Sequence, residues 1–406
     1  MSRVERLIVH PGMPKAGSTS IQFALGKLKS PTHSLIPWGN YDNQLMAFNL
    51  AFSDDIGTIA EIEGLSGERL AEARRQSREG FEAAMKAVEV PYPIVSAESI
   101  LERGRSSYLA LREASEPLVG GYKVICYVRG PRAWSASILQ QELKYGRFPM
   151  LARVPNLYAW SELDEVFGRE NVEFVAFRSD KFKGGDLVSD FFERAGIAEA
   201  PPPAIRENES LSLEACGILF AQHVHGRFEN GAPLTAVSRS KVAEFLRDIG
   251  DRKMSLHPSV FSSTKDAMRQ SYGSIAGRMG ADLYDVEDEP EDAAIQSEDM
   301  LKRFGADALP LLIARVDSLR DDPREFHEPT VDAAIAAARS ASPGAEGVAK
   351  IIDAILSADR SERHRRRHRH MAFLGMEPQP VRERGIASRA ARVVRLKLRE
   401  LRGKAS

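Results

Sequence analysis

HPGMPKAGSTSIQFAL, residues 10–25, follows directly on the apolar run Leu7 to Val9. A short β-rich run that breaks into a Gly/Pro loop and then into a helix-compatible segment predicts a strand, a tight loop and a helix. Loop amides and a helix N-terminus both aim N–H groups at an anion, so this layout is a phosphate cradle. Gly12 and Gly17 frame the loop, Lys15 is its only lysine, and Ser18 and Thr19 open the helix.

A second element has the same form. Tyr122 to Val128 is a β-type run ending in Arg129, followed by GPRAWSASILQQ. Pro131 suits the first turn of a helix, and few breakers follow it. Arg129 is expected at a strand end, with Ser137 eight residues on, about two turns into the next helix.

A Walker loop reads G-x-x-x-x-G-K-[ST]. Here the glycine spacing is kept, but Ser18 stands where the lysine belongs and Lys15 lies inside the loop. The P-K-x-G-[ST]-[ST] pattern, together with the Arg129/Ser137 pair, resembles the bacterial sulfotransferases that use 3′-phosphoadenosine 5′-phosphosulfate (PAPS). The resemblance implies that Lys15, Ala16, Gly17, Ser18 and Thr19 hold the 5′-phosphosulfate end and that Arg129 and Ser137 bind the 3′-phosphate. Arg132 matches a further basic position. Two softer segments extend the likeness. Val172 to Ile197 resembles a strand, an Arg-containing loop and a G-D-L helix with Leu187, Phe191 and Phe192 inward, and Glu207 to Ala215 resembles an N-x-S-L segment. Together they cover about residues 5 to 225. The Thr-Thr-Trp loop ending and C-terminal R-K-G run of the animal cytosolic enzymes are missing, which leaves the adenine contacts unassigned.

Residues 1 to about 200 alternate strand-like and helix-like segments. Strands are expected at Arg6 to Val9, Pro93 to Ser96, Tyr122 to Val128 and Val172 to Phe177. Helices are expected at Ser18 to Lys29, Glu68 to Val88, Pro131 to Tyr145 and Gly185 to Ala195. Short apolar runs separated by helices predict an α/β, three-layer fold, a P-loop-like parallel sheet flanked by helices, with a mostly helical C-terminal region. Ligands in such sheets bind beyond the carboxyl ends of the strands, where both phosphate elements fall. The expected division is a sulfotransferase-like core over 1–225, a helical extension over 226–358 with an acidic linker around Asp282 to Asp292, and a basic tail over 359–406.

Composition is that of an ordinary globular protein, 43% hydrophobic and 28% charged. No window has the length of apolar residues that spans a membrane, and the N-terminus does not read as a secretory signal, so a cytoplasmic location is expected. Cys126 and Cys216 are expected to be buried thiols rather than a disulfide or metal pair. His223 and His225 are too close for one helix face, and no metal is expected. The net charge of −1 hides a division: from Arg360 on, fifteen Lys and Arg face four Asp and Glu. Ala390, Val394, Leu398 and Leu401 fall on one stripe of an arginine-rich helix, a pattern that fits peripheral binding to an anionic membrane surface. A solvated polybasic end is the alternative, and nucleic acid is disfavoured because stacking aromatics are nearly absent there.

Sulfuryl transfer is an in-line displacement in which the protein contributes positioning and electrostatics. Lys15 is placed to neutralise the departing oxygen, and a hydroxyl acceptor also needs a base. Glu98, in VSAES directly after the expected second strand, is the first candidate, and a helix-capping role is its alternative. His10 at the loop mouth and His33 are the other candidates. The acceptor is expected to be a hydroxyl or amine of a glycan, lipid-linked sugar or small metabolite. A P-loop small-molecule kinase and a non-catalytic nucleotide-binding scaffold are the competing readings.

Overall fold

A computed structural model describes residues 4–39, 42–54, 65–98, 100–146, 151, 157–203, 210–226, 236–290, 293–319 and 326–373. Its sheet has five strands, β1 (Leu7–His10), β2 (His33–Leu35), β3 (Tyr92–Ser96), β4 (Tyr122–Val128) and β5 (Val172–Ala176), in the order β2-β3-β1-β4-β5. All pairings are parallel, with Ile8 beside Ile94 and Lys123, and Val124 beside Val172. Strands covered on both faces read as continuous apolar runs, which is why Leu7, Ile8 and Val9 and most of β4 are buried.

Helices α1 (Ser18–Lys27), α2 (Leu45–Phe52), α3 (Gly67–Ala87), α4 (Gly104–Ser115), α5 (Pro131–Tyr145), α6 (Ser161–Phe167) and α7 (Leu187–Ala195) connect and follow the strands. α1 packs with α7, whereas α2, α3, α4 and α6 form a contiguous second group. Right-handed crossovers put these groups on opposite faces of the sheet, giving three layers. The strand order reverses around β1, so the loops after β3 and β4 flank the loop after β1. The α/β three-layer expectation therefore holds, and β4 and α5 match their expected bounds.

The chain groups into two compact units that interleave in sequence. The first comprises residues 1–134, 154–207 and 263–287, and the second 135–153, 208–262 and 288–406. The first thus holds the sheet and, from much later in the chain, helix α10 (Lys265–Met279), which lies against β5. There Arg278 reaches the Asp164 carboxylate at 2.5 Å and the Val172 carbonyl at 2.6 Å, and its guanidinium lies 4.6 Å over the Phe174 ring. Tyr272 of the same helix meets Trp160 edge to face.

The second unit is helical, with α8 (Leu213–His225), α9 (Ala236–Phe245), α11 (Glu298–Asp307), α12 (Leu309–Ser318), α13 (Glu328–Arg339) and α14 (Ala345–Phe373). α8 and α11 cross through Gly217 and Gly305, so closely that a Cβ on Gly217 would lie 2.5 Å from the Gly305 nitrogen. Only glycine permits that backbone approach. Helix α14 runs unbroken through residue 359, where the basic tail was expected to begin. The stripe from Ala390 to Leu401, like Glu207 to Glu209, lies outside the described residues. Among the described residues no helix is long and apolar enough to cross a membrane.

Candidate functional site

The loop between β1 and α1 takes its shape from three residues with positive φ: Gly12 at 37°, Lys15 at 65° and Gly17 at 78°. Gly12 is required by close approach. A Cβ there would lie 3.0 Å from Glu98 Cα and 3.1 Å from the Ala97 carbonyl. A turn closes as the Ala16 N–H donates to the Met13 carbonyl at 3.1 Å, and the buried Ser18 hydroxyl donates to the same oxygen. Gly17 is the N-cap of α1 and supplies no side-chain cap. The N–H groups of Ser18 and Thr19 therefore stand in a first turn that no helical carbonyl precedes. Thr19 is exposed.

The second element fastens this loop. Arg129, at the end of β4, donates from its guanidinium to the Lys15 carbonyl at 2.8 Å, and its N–H meets Met13 Sδ at 3.3 Å. Trp134, in the first turn of α5, donates its indole N–H to the Pro14 carbonyl at 2.8 Å. Burial pulls the Arg129 pKa down, opposed by the charge of Asp285.

Glu98 closes the loop from the other side. Its carboxyl accepts the Lys15 N–H and feels the Lys15 charge; both lower its pKa, but burial outweighs them and, with Glu102 nearby, holds it above the usual carboxylate range. The Lys15 peptide is thus held at its N–H by Glu98 and at its carbonyl by Arg129. Such a grip sustains a non-glycine residue in the left-handed region. The Glu98 backbone is itself tied down, because its N–H donates to Asn43 Oδ1 at 3.1 Å. Beside it, the buried Gln44 side chain accepts from the Ser96 N–H at 3.0 Å and donates to the Ile36 carbonyl at 2.6 Å. Asn43 and Gln44 extend the sheet edge where β2 and β3 part.

The other candidates are placed differently. His10, considered as a catalytic residue at the loop mouth, has no exposed surface. Its Nδ1 shares a hydrogen bond with Ser96 Oγ at 2.8 Å, and its ring packs on Phe191 and Tyr127. Burial pulls its pKa down to about 3, so it sits neutral in the layer under α7, and a packing role replaces the catalytic one. His33 is also buried, stacked on Tyr92, with Nε2 at 3.1 Å from the Ala195 carbonyl. Ser137 lies in α5, half-buried, in the part of that helix belonging to the second unit. Arg132 opens α5, and its N–H donates to Asp285. Leu187 packs against Gly17, while Phe191 and Phe192 are buried. Cys126 and Cys216 are buried free thiols. Among the described residues no cluster of His, Cys, Asp or Glu has the makings of a metal site.

Lys15, Ala16, Gly17, Ser18, Thr19, Glu98 and Arg129 are therefore brought to one sheet edge. Trp134, Asn43 and Asp285 were not legible as site residues, since each acts through a long-range contact that leaves no local pattern. Compared with known proteins, the chain matches no family model, no curated protein and no solved structure.

Proposed function

We propose that the chain is a PAPS-dependent sulfotransferase that modifies a hydroxyl or amine of a glycan, lipid-linked sugar or small metabolite. The observation that carries this reading is the Lys15 peptide gripped between Glu98 and Arg129 at the mouth of an uncapped helix. That arrangement supplies an anion cradle, a cation inside it and a carboxyl beside it. A Walker lysine in the first turn of the helix would supply no such cation within the loop.

In this reading the amides opening α1 take the 5′-phosphate of the donor. The acceptor oxygen attacks sulfur as the bond from sulfur to the bridging oxygen breaks. The electron pair leaves with the 5′-phosphate, where the Lys15 ammonium neutralises it, and the acceptor proton passes to the Glu98 carboxylate. The products are a sulfate ester and 3′-phosphoadenosine 5′-phosphate. A base with its pKa raised toward the operating pH is suited to this transfer. The donor has no β,γ-phosphate pair to chelate a divalent ion, so the reading calls for none. The resemblance assigns the 3′-phosphate to Arg129 and Ser137. A cytoplasmic enzyme held at the inner membrane face by its basic tail completes the proposal.

Calorimetry with 3′-phosphoadenosine 5′-phosphate, ADP and AMP tests the donor class. The expected result is several-fold tighter binding of the 3′-phosphorylated ligand than of the other two. Equal binding of all three, or turnover of ATP with Mg²⁺, would instead favour the kinase reading.

A further inference from the structure

Among the described residues Lys15 is the one non-glycine with a positive φ, 65°. Its conformation is set by the two peptide groups on either side of its Cα, and all four of their polar atoms are engaged. The Pro14 carbonyl accepts the Trp134 indole N–H at 2.8 Å, and the Lys15 N–H of the same peptide goes to the Glu98 carboxyl. The Lys15 carbonyl accepts from the Arg129 guanidinium at 2.8 Å, and the Ala16 N–H of that second peptide donates to the Met13 carbonyl at 3.1 Å. Each peptide is planar, so holding both planes fixes the φ and ψ between them. The direction in which the Lys15 side chain leaves the backbone is fixed with them.

Of the three side chains in this lock, Trp134 alone is neutral. In a trans peptide the carbonyl and the N–H point in opposite directions. The indole, from the element after β4, and the Glu98 carboxyl, from the turn after β3, therefore hold the Pro14–Lys15 peptide from opposite sides. Trp134 is firmly seated: it is buried in the first turn of α5, and its backbone N–H donates to the Gly130 carbonyl at 2.8 Å. A buried indole N–H needs a partner, and this one takes a loop carbonyl 120 residues away. Phenylalanine would fill most of the same space, so what tryptophan adds here is the donor.

Resting on the sulfotransferase reading, we propose that Trp134 is a positioning residue for sulfuryl transfer. By holding the Pro14 carbonyl it turns the Lys15 N–H onto Glu98 and aims the Lys15 ammonium at the bridging oxygen that leaves sulfur. It acts through the loop and touches neither donor nor acceptor. Without the indole N–H the peptide is free to tilt, and two properties change together. The ammonium meets the departing oxygen less well, and the Glu98 carboxyl loses an N–H that lowers its pKa. The charged groups facing Glu98, Lys15 from the loop after β1 and Glu102 from the turn after β3, keep their charges. Asn43, which takes the Glu98 N–H, is neutral.

The test compares the full chain with Trp134→Phe and with a chain carrying β-(3-benzothienyl)alanine in place of Trp134. The latter keeps the outline of the indole, with sulfur where the N–H was, so it fills the space that phenylalanine leaves. Water serves as the acceptor: PAPS is incubated with each protein, and inorganic sulfate is measured at saturating donor. Calorimetry with 3′-phosphoadenosine 5′-phosphate and AMP, and a carbon-13 NMR titration of the Glu98 carboxyl, accompany it. Both variants are expected to bind 3′-phosphoadenosine 5′-phosphate within about twofold of the parent and to release sulfate about 10- to 100-fold more slowly. Both should titrate Glu98 at higher pH. A parent-like rate or an unmoved Glu98 titration overturns the proposal. So does a loss of affinity in proportion to the rate, which would make Trp134 part of the binding cradle. If the parent prefers 3′-phosphoadenosine 5′-phosphate no more than AMP, the sulfotransferase reading fails. The Glu98 titration then decides the grip on the peptide by itself, as it does where sulfate release is too slow to compare: an upward move supports it and an unmoved one overturns it.

Discussion

α1 and α5 both open at the carboxyl edge of the sheet, after adjacent strands, and their first turns are completed in different ways. α1 starts behind a left-handed Gly17 with no side chain on its amides, whereas α5 starts with the Asp285 carboxylate on Arg132 and Ala133. A Ser, Thr, Asn or Asp cap is worth about 1 kcal/mol, and the positive helix end favours an anion. The chain uses that stabilisation at α5 and forgoes it at α1, where a lysine and a carboxyl stand beside the bare end. The difference separates a helix terminus completed by a distant carboxylate from one whose N-cap residue supplies no side chain.

The sharpest way to break this contrast is to neutralise the carboxyl at the first terminus. Glu98→Gln is expected to lower sulfuryl transfer by about 10²- to 10⁴-fold, read from single-turnover rates. In the parent, turnover should rise with pH through the Glu98 pKa, which burial places above the usual carboxylate range. The variant should lose that acid limb. Stability should move the other way. Because the folded pKa of Glu98 is raised, its contribution is full below the unfolded value and is lost as pH rises through the folded one. Glu98→Gln should therefore melt no lower than the parent at neutral pH, and a clear loss of stability there would mean that the ionised carboxyl supports the fold instead.

Lys15→Ala follows in size. Loss of one charge aimed at a leaving oxygen costs about 10²- to 10³-fold in rate. Affinity for 3′-phosphoadenosine 5′-phosphate should change much less, since the charge acts chiefly in the transition state. A proportionate fall in affinity would move Lys15 from catalysis to simple binding.

Gly17→Ala probes the uncapped start itself. Its φ of 78° disfavours any side chain, and the new methyl would press on Leu187 and lie 3.0 Å from the Phe177 ring. Urea denaturation should show a loss of about 1–3 kcal/mol. A stability equal to the parent would show that α7 yields easily and that the loop is not tightly set.

The tail carries the smallest effect on the site. Deleting residues 374–406, which removes nine of the fifteen Lys and Arg, should strongly weaken salt-sensitive binding to anionic vesicles, to which each basic residue contributes about 1 kcal/mol, and leave nucleotide affinity unchanged. A full-length chain that ignores such vesicles at low salt has another partner for that charge.

Strands β1 and β4 were legible because each is an apolar run with a breaker at its end. Tyr122 to Val128 and Pro131 to Tyr145 fall at their observed bounds. β2 has only three residues and lies at the sheet edge, too short for any periodicity to register. α4 was missed as well, although Tyr108 and Leu111 on its buried face are three apart. At the site, residue types in motif spacing marked Lys15, Ser18, Thr19 and Arg129. Strand order alone brings Glu98 beside them. His10 was misplaced because a residue at a strand end lies on either side of the sheet depending on register, and here it faces the Phe191 layer. Asp285 meets its partners across about 150 residues of chain, a separation no window spans.

The position of α10 also sets an order of events during synthesis. Its residues cover Phe174 and Trp160, yet they leave the ribosome about ninety residues after β5 is complete. At about 5–20 residues per second, the growing chain carries that aromatic face uncovered for roughly 5–20 s. Throughout this interval the nascent sheet exposes an apolar face of the kind that chaperones recognise, and a ribosome that stalls between residues 176 and 265 leaves the β5 side of the first unit without α10.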